Sequence, residues 1–210
     1  MTKDEIRISK YLSKILRHAP ESVGLVLEAG GWVDIQELLA ACKRHGTLIT
    51  YEQLKNVVSG NDKQRFALDP VTRKIRANQG HSVDVDLQLA PAMPPGVLYH
   101  GTGAGSVDAI YKSGGLQKMK RHHVHLSADV ETAVRVGGRH GKAVVFEVDA
   151  AGMVADGVVF YMSDNGVWLV DTVPAKYLTR REFPLVAALV DLADDMAALP
   201  DQAPPRSDLG

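Results

Sequence analysis

Residues 1–60 carry apolar side chains at helical spacing in three successive segments. The first segment predicts a helix closed by Pro20, which places Arg17 and His18 in its last turn or just past it. Thr50 and Gln53 have the spacing of a capping box and predict the start of the third helix. The apolar positions of the three helices are, in order, Ile8, Leu12, Ile15 and Leu16; Val33, Ile35, Leu38, Leu39 and Cys42, closed by Gly46; and Leu54, Val57 and Val58.

Two short strands are predicted next, at residues 65–68 and 74–77, around a turn at Asp69-Pro70. Helices followed by such a hairpin predict a small winged-helix domain over residues 1–82. In that domain Arg65 would begin the first strand of the wing.

Residues 83–96 have no helical period and collect prolines near their end, which predicts a linker or an extended crossover. Residues 97–183 then alternate short strand-like segments with two helices, capped by Ser106 and Asp129, and Asp164-Asn165-Gly166 predicts a hairpin turn. The chain as a whole is therefore predicted to be α+β. The strands are predicted at 97–100, 124–126, 143–148, 158–162 and 167–170, and the helices at 107–112 and 130–136.

The composition is that of an ordinary globular protein, and the net charge of -1 offers no global basic field for nucleic acid. Cys42 is the single cysteine and falls at an apolar helical position, so we interpret it as a core residue. The polar N-terminus lacks a signal peptide and no stretch is long enough for a transmembrane helix, so we expect a cytoplasmic protein, with a monomer favoured. Residues 184–210 are predicted to form a tail, helical at 185–199 and disordered at the end.

Three stretches each combine an arginine with groups that can position a phosphate. They are Arg17-His18, the motif Asp62-Lys63-Gln64-Arg65-Phe66, and Arg121 with the nearby His123-Val124-His125-Leu126-Ser127. A guanidinium presents a planar fork of donors and stays charged at any working pH, so it suits phosphate recognition better than an ammonium. Any one of these arginines is more often a surface residue, but three segments together could converge on one phosphate.

Two further motifs carry weaker signals. The glycine of His100-Gly101-Thr102 would let a ligand approach the backbone, although a turn histidine with its own partner explains this motif at least as well. Residues 137–141 are rich in glycine and basic side chains, so they are either a backbone cradle for a pyrophosphate or the end of a helix with a surface arginine. Neither a Rossmann fingerprint nor a P-loop is present.

His122, His123 and His125 raise the question of a metal site. A zinc site needs at least three protein ligands, and on a strand His122 would point away from the other two. There is no cysteine pair and no H-E-x-x-H, so we expect no metal. A serine or cysteine hydrolase is also poorly supported, because the sequence has no G-x-S-x-G elbow.

Taken together, these segments resemble the RNA 2′-phosphotransferase family of the KptA type. The resemblance extends over about residues 8–178, and so many ordered blocks are far more specific than any one motif. The blocks are residues 12–18, 30–33, 62–66, 75–82, 98–102, Arg121 with 123–127, 138–141 and 165–169.

The resemblance implies an N-terminal winged-helix lobe for RNA and a C-terminal ADP-ribosyltransferase-like lobe for NAD, which would be consumed as a co-substrate. It also implies a reaction in which an internal RNA 2′-monophosphate, with tRNA as one candidate substrate, displaces nicotinamide from NAD. The ribose 2″-hydroxyl would then attack the phosphorus. The products would be RNA with a 2′-hydroxyl and ADP-ribose 1″,2″-cyclic phosphate, and the family pattern requires no metal.

The same resemblance assigns the site residues. The set that would engage the 2′-phosphate is Arg17, His18, Arg65 and Arg121. The set that would bind the ADP-ribose part of NAD is His100, Gly101, Thr102, Ser127, Arg139 and His140. His122 and the tail beyond Phe183 have no counterpart in the family pattern.

Two other functions stay open on the sequence. An ADP-ribosyltransferase would stop after the first step and leave ADP-ribose on a terminal phosphate of nucleic acid or on a protein. A winged-helix regulator that senses NAD would need a basic recognition helix, and residues 50–59 carry only Lys55. The sequence leaves open whether the pathway is RNA splicing or RNA repair.

Overall fold

The structure is a computed structural model that describes residues 1–60 and 64–183. Those residues form a mixed α/β fold with six α-helices and small antiparallel sheets. The helices are α1 (Lys3–Arg17), α2 (Ile35–Arg44), α3 (Tyr51–Ser59), α4 (Val107–Lys112), α5 (Val130–Gly138) and α6 (Ala150–Ala155). The strands are β1 (Trp32–Asp34), β2 (Phe66–Asp69), β3 (Lys74–Ala77), β4 (Val97–Gly103), β5 (Gly115–Gln117), β6 (Val124–Leu126), β7 (Ala143–Asp149), β8 (Tyr161–Met162), β9 (Trp168–Val170), β10 (Thr172–Pro174) and β11 (Leu178–Arg181). Asp62-Lys63 and the predicted tail at 184–210 lie outside the described residues.

The three predicted N-terminal helices all form, and a polar side chain caps each of them. The capping box of Thr50 and Gln53 is confirmed at the start of α3. Asp34 accepts hydrogen bonds from two backbone N–H groups in the first turn of α2. Since the first turn of a helix leaves its N–H groups without helical partners, these caps define where each helix begins.

The prediction that Val33 belongs to the second helix is wrong, because Val33 lies in β1. This strand pairs with β3, and the sheet has the order β1-β3-β2. A strand of three residues is too short to establish a two-residue period, so it left no signal in the sequence. The strand expected to begin at Arg65 begins at Phe66 instead, and Arg65 lies just before the sheet.

The side chains of α1, α2, α3 and this sheet enclose one hydrophobic cluster. Leu12, Leu38, Leu54 and Ile75 each have 0% of their surface exposed within it. Cys42 is equally buried, and burial raises the pKa of its thiol to about 11. The interpretation of Cys42 as a core residue is therefore confirmed.

The C-terminal part is built on the pairing of β4 with β7, with β11 on the far side of β7 and α5 packed across the sheet. Two glycines allow the helix to approach β4 closely. A Cβ on Gly101 would collide with the carbonyl of Ala133, and one on Gly137 would lie 2.8 Å from the carbonyl oxygen of Thr102. Glycine at position 101 is thus required by helix packing, whatever ligand binds nearby.

A second C-terminal sheet has the order β6-β9-β8, and the predicted turn at Asp164-Asn165-Gly166 joins β8 to β9. Gly166 has a φ of +75°, which glycine adopts without strain. Tyr99 and Ser127 exchange two backbone hydrogen bonds, of 2.9 and 2.8 Å, and so connect this sheet to β4. Asp129 caps α5 as predicted, since it accepts from the backbone N–H of Thr132 at 2.7 Å.

Two predictions for the C-terminal part are wrong in detail. Ser106 makes no side-chain cap, because a 3-10 turn over Ala104–Ser106 leads directly into α4. The strand predicted at 158–162 shortens to β8, since the carbonyl of Phe160 pairs with the crossover instead. The short strands β5, β10 and β11 and the helix α6 were not predicted at all.

Residues 83–96 cross between the two parts in extended form and pack against the N-terminal part. The backbone N–H of Gly30 donates to the carbonyl of Asp86 at 2.8 Å, and Leu87 is buried. Arg76 on β3 also pairs directly with Asp164 in the turn between β8 and β9. These contacts bring the end of α1 close to the segment that leads into β6.

Candidate active site

The last turn of α1 presents Arg17 and His18, with Arg17 as the final helical residue and His18 as the C-cap. Nη2 of Arg17 donates to the carbonyl of Arg65 at 3.2 Å, and its guanidinium lies 6.0 Å from the centre of the Phe66 ring. Nδ1 of His18 lies 2.9 Å from Oγ of Ser82. The predicted position of both residues at the end of the first helix is confirmed.

Residues 78–82 orient these side chains from one side. The backbone N–H of Asn78 donates to the carbonyl of Arg65 at 3.0 Å, and its side-chain amide donates to the carbonyl of Gln64 at 2.6 Å. Gly80 has a φ of +87°, and a Cβ there would lie 3.7 Å from Nη1 of Arg17. The backbone N–H of Ser82 donates to the carbonyl of Arg17 at 2.9 Å.

Arg121 joins the cluster from the C-terminal part. Its Nη1 lies 3.4 Å from Nδ1 of His125. An arginine can only donate, so Nδ1 of His125 accepts and the ring proton resides on Nε2. That Nε2 is buried and has no partner among the described residues. Burial first, and then the charge of Arg121, lower the pKa of His125 to about 3, so the ring is neutral at pH 7.

Among the described residues, the charges that shift the pKa of Arg17 are all positive. Burial, followed by the charges of Arg65 and Arg121, lowers the pKa of Arg17 to about 10. Burial and the charges of Arg17 and Arg121 also lower the pKa of His18. Nε of Arg17 is buried without a partner in the described part of the chain. Like charges held together cost free energy until an anion neutralises them, so this cluster is suited to bind a phosphate group.

Arg139 lies close enough to Arg65 for its charge to act there. Its charge is the second cause, after burial, that lowers the pKa of Arg65. Arg139 is the C-cap of α5, and the carbonyl of His140 packs against Gly103 at the end of β4. Residues 137–141 therefore do include the end of a helix, as one of the two interpretations holds, and binding of a pyrophosphate there stays a prediction.

The residues predicted to bind NAD follow β4. Nδ1 of His100 donates to the carbonyl of His125 at 3.1 Å, and burial lowers the pKa of His100. Ser127 pairs through its backbone with Tyr99 in β4. Helix α5 packs against a face of the same strand. Of the predicted set, His100, Gly101 and Thr102 lie in β4, Ser127 pairs with this strand, and the backbone of His140 contacts its end, while Arg139 precedes His140 as the helix C-cap.

His81 lies in the block of residues 75–82 that carries the family resemblance, but no role was assigned to it. The structure shows it to be 1% exposed. Neither ring nitrogen has a partner among the described residues. Burial, and after it the charge of Arg17, lowers its pKa to about 4. A polar residue in a loop-like stretch gives no hint of such burial, so the sequence did not single it out.

The described residues contain no group of three or more His, Cys, Asp and Glu side chains that could hold a metal ion. His123 faces Tyr161, with their ring centres 5.7 Å apart, whereas Nδ1 of His125 lies next to Arg121. In the same part of the chain, no helix has the length and apolar character needed to cross a membrane.

Comparison with known proteins identifies the family. Residues 3–172 match the family model described as RNA 2′-phosphotransferase, Tpt1/KptA family. The chain belongs to this family.

Its relatives cover nearly the same region. A protein of Trichormus variabilis is 63% identical over 174 residues, which are 83% of this chain and 95% of the relative. One of Nostoc punctiforme is 57% identical, over 83% of this chain and 96% of its own. A protein of Streptomyces coelicolor is 54% identical over 82% of this chain and 93% of the relative. Each is named a probable RNA 2′-phosphotransferase, so the resemblance seen in the sequence is confirmed and the family is one of transferases.

Proposed function

We propose that this protein removes an internal 2′-monophosphate from RNA by transferring it to the ADP-ribose of NAD. The products are RNA with a 2′-hydroxyl, nicotinamide and ADP-ribose 1″,2″-cyclic phosphate. The observation that carries the proposal is the convergence of Arg17, Arg65 and Arg121, three guanidinium groups from distant segments, next to His18. Membership of the RNA 2′-phosphotransferase family supports the phosphate-transfer part.

The proposed architecture is a winged-helix lobe over residues 1–82 and an ADP-ribosyltransferase-like lobe over residues 97–183. The element order α1-β1-α2-α3-β2-β3 with sheet order β1-β3-β2 supports the first assignment. The two short antiparallel sheets joined through Tyr99 and Ser127 are consistent with the second. In this arrangement, the phosphate lies between the lobes, where Arg17 and Arg121 approach one another.

The arginines hold the 2′-phosphate and orient it. Each can donate two hydrogen bonds to phosphate oxygens, and the low exposure of the Arg17 guanidinium strengthens its interaction with an anion. Tight coordination also withdraws electron density from an attacking phosphate oxygen. The cations therefore contribute most when phosphorus itself reacts and charge builds up on the nonbridging oxygens.

His18 is the proton donor to the 2′-oxygen that leaves phosphorus. It is the one member of this set whose side chain ordinarily titrates near neutral pH, and burial and two arginines lower its pKa in the free protein. A bound phosphate dianion opposes those arginine charges and raises the pKa of His18 again. Ser82, 2.9 Å from Nδ1, orients the ring and leaves Nε2 as the nitrogen that would donate the proton.

NAD supplies the ribose that accepts the phosphate. The residues that would hold it are those along β4, and their donors fit the group. Imidazole, hydroxyl and guanidinium donors suit a diphosphate and ribose hydroxyls. The buried Nε2–H of His125, which has no partner among the described residues, is a further donor next to His100 and Arg17.

The regulator hypothesis is disfavoured by α3. Its only basic residue, Lys55, lies 3.5 Å from Glu52 and 5.7 Å from the centre of the Tyr51 ring. A recognition helix needs free cations for the phosphate backbone, and this one presents a paired lysine. An ADP-ribosyltransferase that stops after the first step would use the same residues on β4, so only the product separates it from our proposal.

The test is to incubate the protein with a short RNA that carries one radiolabelled internal 2′-monophosphate, with and without NAD. NAD-dependent transfer of the label to ADP-ribose cyclic phosphate is the expected result. RNA that keeps ADP-ribose without releasing it would establish the shorter reaction instead. An Arg7→Ala variant serves as the matched control, because Arg7 lies on the same helix as Arg17, is 71% exposed and pairs with Asp4.

A further inference from the structure

A cleft of about 480 Å³ opens between the crossover and the segment that precedes β6. Pockets that hold small ligands have volumes of roughly 300–1,000 Å³, so this one can accept a planar heterocycle. Arg121 lies on its rim, and the same side chain belongs to the cation cluster. Whatever enters the cleft is therefore a direct neighbour of the group bound by Arg17 and Arg121.

One wall of the cleft is aromatic. The rings of His123 and Tyr161 lie 5.7 Å apart and are tilted by 57°, and His122 extends the row with its ring centre 6.4 Å from that of His123. The backbone of Tyr161 is fixed, because it pairs with Leu169 and forms a β-bridge to Pro91. Half-buried rings held in this way offer a stacking surface to a planar ligand.

Three carboxylates also line the cleft. Asp84 and Asp86 come from the crossover, and Asp171 lies 3.7 Å from Lys118, which is itself part of the lining. Carboxylates repel the phosphates of a nucleic-acid backbone, but they accept hydrogen bonds from the exocyclic amino groups of bases. A cleft that pairs rings with carboxylates, beside a phosphate-binding arginine, matches a nucleobase rather than a further phosphate.

From this geometry we propose that the cleft binds a nucleobase of the RNA substrate within one nucleotide of the 2′-phosphate, stacked against Tyr161 and His123. The proposal rests on the proposed function, because it takes the anion at Arg121 to be the RNA 2′-phosphate. The described lining of the cleft includes neither Arg139 nor any residue of β4, so the cleft differs from the site proposed for NAD.

The test uses three oligoribonucleotides with one internal 2′-phosphate. One is intact, one is abasic at the phosphorylated nucleotide, and one is abasic at the nucleotide that follows. For the unmodified protein, we expect removal of one of these two bases to raise the KM for RNA about 10-fold, in line with the loss of one stacked base. Tyr161→Leu should raise the KM for the intact RNA by a similar factor and abolish the difference between intact and abasic RNA. Tyr161→Phe should retain the difference in KM between intact and abasic RNA, because the ring remains.

Tyr51→Leu is the matched control, since Tyr51 is 50% exposed on α3 and lies outside the cleft. Binding of the same RNAs without NAD, followed by fluorescence anisotropy, separates the two proposals. If binding depends on the base but no phosphate is transferred, the proposed function is contradicted and the nucleobase site is supported. Transfer and binding that are indifferent to both bases would overturn the nucleobase site alone. A rise in the KM for NAD but not for RNA in Tyr161→Leu would also overturn it.

Discussion

The cations from the two halves of the molecule are held in different ways. Arg17 and His18, from the N-terminal part, each have a hydrogen-bonded protein partner, at 3.2 and 2.9 Å. Arg121 and Arg139, from the C-terminal part, are exposed, and Nη1 of Arg121 lies at the longer distance of 3.4 Å from Nδ1 of His125.

This difference indicates a division of labour between the halves. The N-terminal cations are oriented before any ligand arrives, so they lose little conformational entropy on binding and can act in the transition state. We expect the exposed cations of the C-terminal part to become ordered only when the substrate binds, so that more of their contribution to the reaction is made in binding. The variants below either strengthen this contrast or remove it.

Arg17→Ala is expected to have the largest effect. Loss of one charge-assisted contact to a phosphate costs ~2–3 kcal/mol, which lowers kcat/KM by roughly 30- to 150-fold. The loss should be mainly in kcat, and the melting temperature should change little, because a like-charge repulsion disappears with the side chain. Steady-state kinetics and thermal unfolding check both points. A large fall in melting temperature would mean that Arg17 is structural.

His18→Ala should slow phosphate release more than the attack on NAD, because the leaving 2′-oxygen loses its proton donor. A loss of roughly 10- to 100-fold is typical when a general acid is removed. RNA that carries ADP-ribose should then accumulate, as seen by gel electrophoresis of labelled RNA. If both steps slow equally and no such RNA builds up, His18 has no role specific to the second step.

Arg121→Ala should raise the KM for RNA by roughly 10- to 30-fold and change kcat less, since an exposed arginine has more conformational freedom to lose on binding. Steady-state kinetics over a range of RNA concentrations measure the two constants separately. A fall in kcat as large as that of Arg17→Ala would erase the contrast between the halves.

Ser82→Ala removes the hydrogen bond that orients His18. A neutral hydrogen bond contributes about 0.5–1.5 kcal/mol, so kcat should fall by roughly 2- to 10-fold. Ser82→Thr should restore most of it, because the hydroxyl remains. The pH profile of kcat should shift in Ser82→Ala and return in Ser82→Thr. An unchanged profile in both variants would contradict the orienting role.

Acid should destabilise the free protein through His81. Its folded pKa of about 4 lies below its ordinary value, so the unfolded chain binds more protons between these two values. The contribution of neutral His81 to the free energy of unfolding is retained above pH ~6.5. It falls as the pH drops towards 4, by at most ~1.4 kcal/mol per pH unit for this group. Urea unfolding at pH 7, 6 and 5 measures the slope. His81→Gln should flatten it, and an equal slope in both proteins would exclude His81 as the cause.

Local signals predicted the N-terminal elements well. Thr50 with Gln53 and the apolar series around Leu12 depend only on neighbouring residues, and both formed as expected. The assignment of Val33 to a helix failed because a strand of three residues is defined by its partner β3 rather than by its own pattern. Ser106 failed for a related reason, since a preceding turn took the place of the cap.

The sequence by itself determined the family, the helices of the N-terminal part and the list of candidate residues, because ordered motifs and helical periods are properties of the chain. Only the tertiary structure decided which of those residues share an environment. The charge of Arg139 at Arg65, the buried Nε2 of His125 and the burial of His81 arise from contacts between segments far apart in the chain. Such contacts depend on packing in three dimensions, which no local pattern encodes.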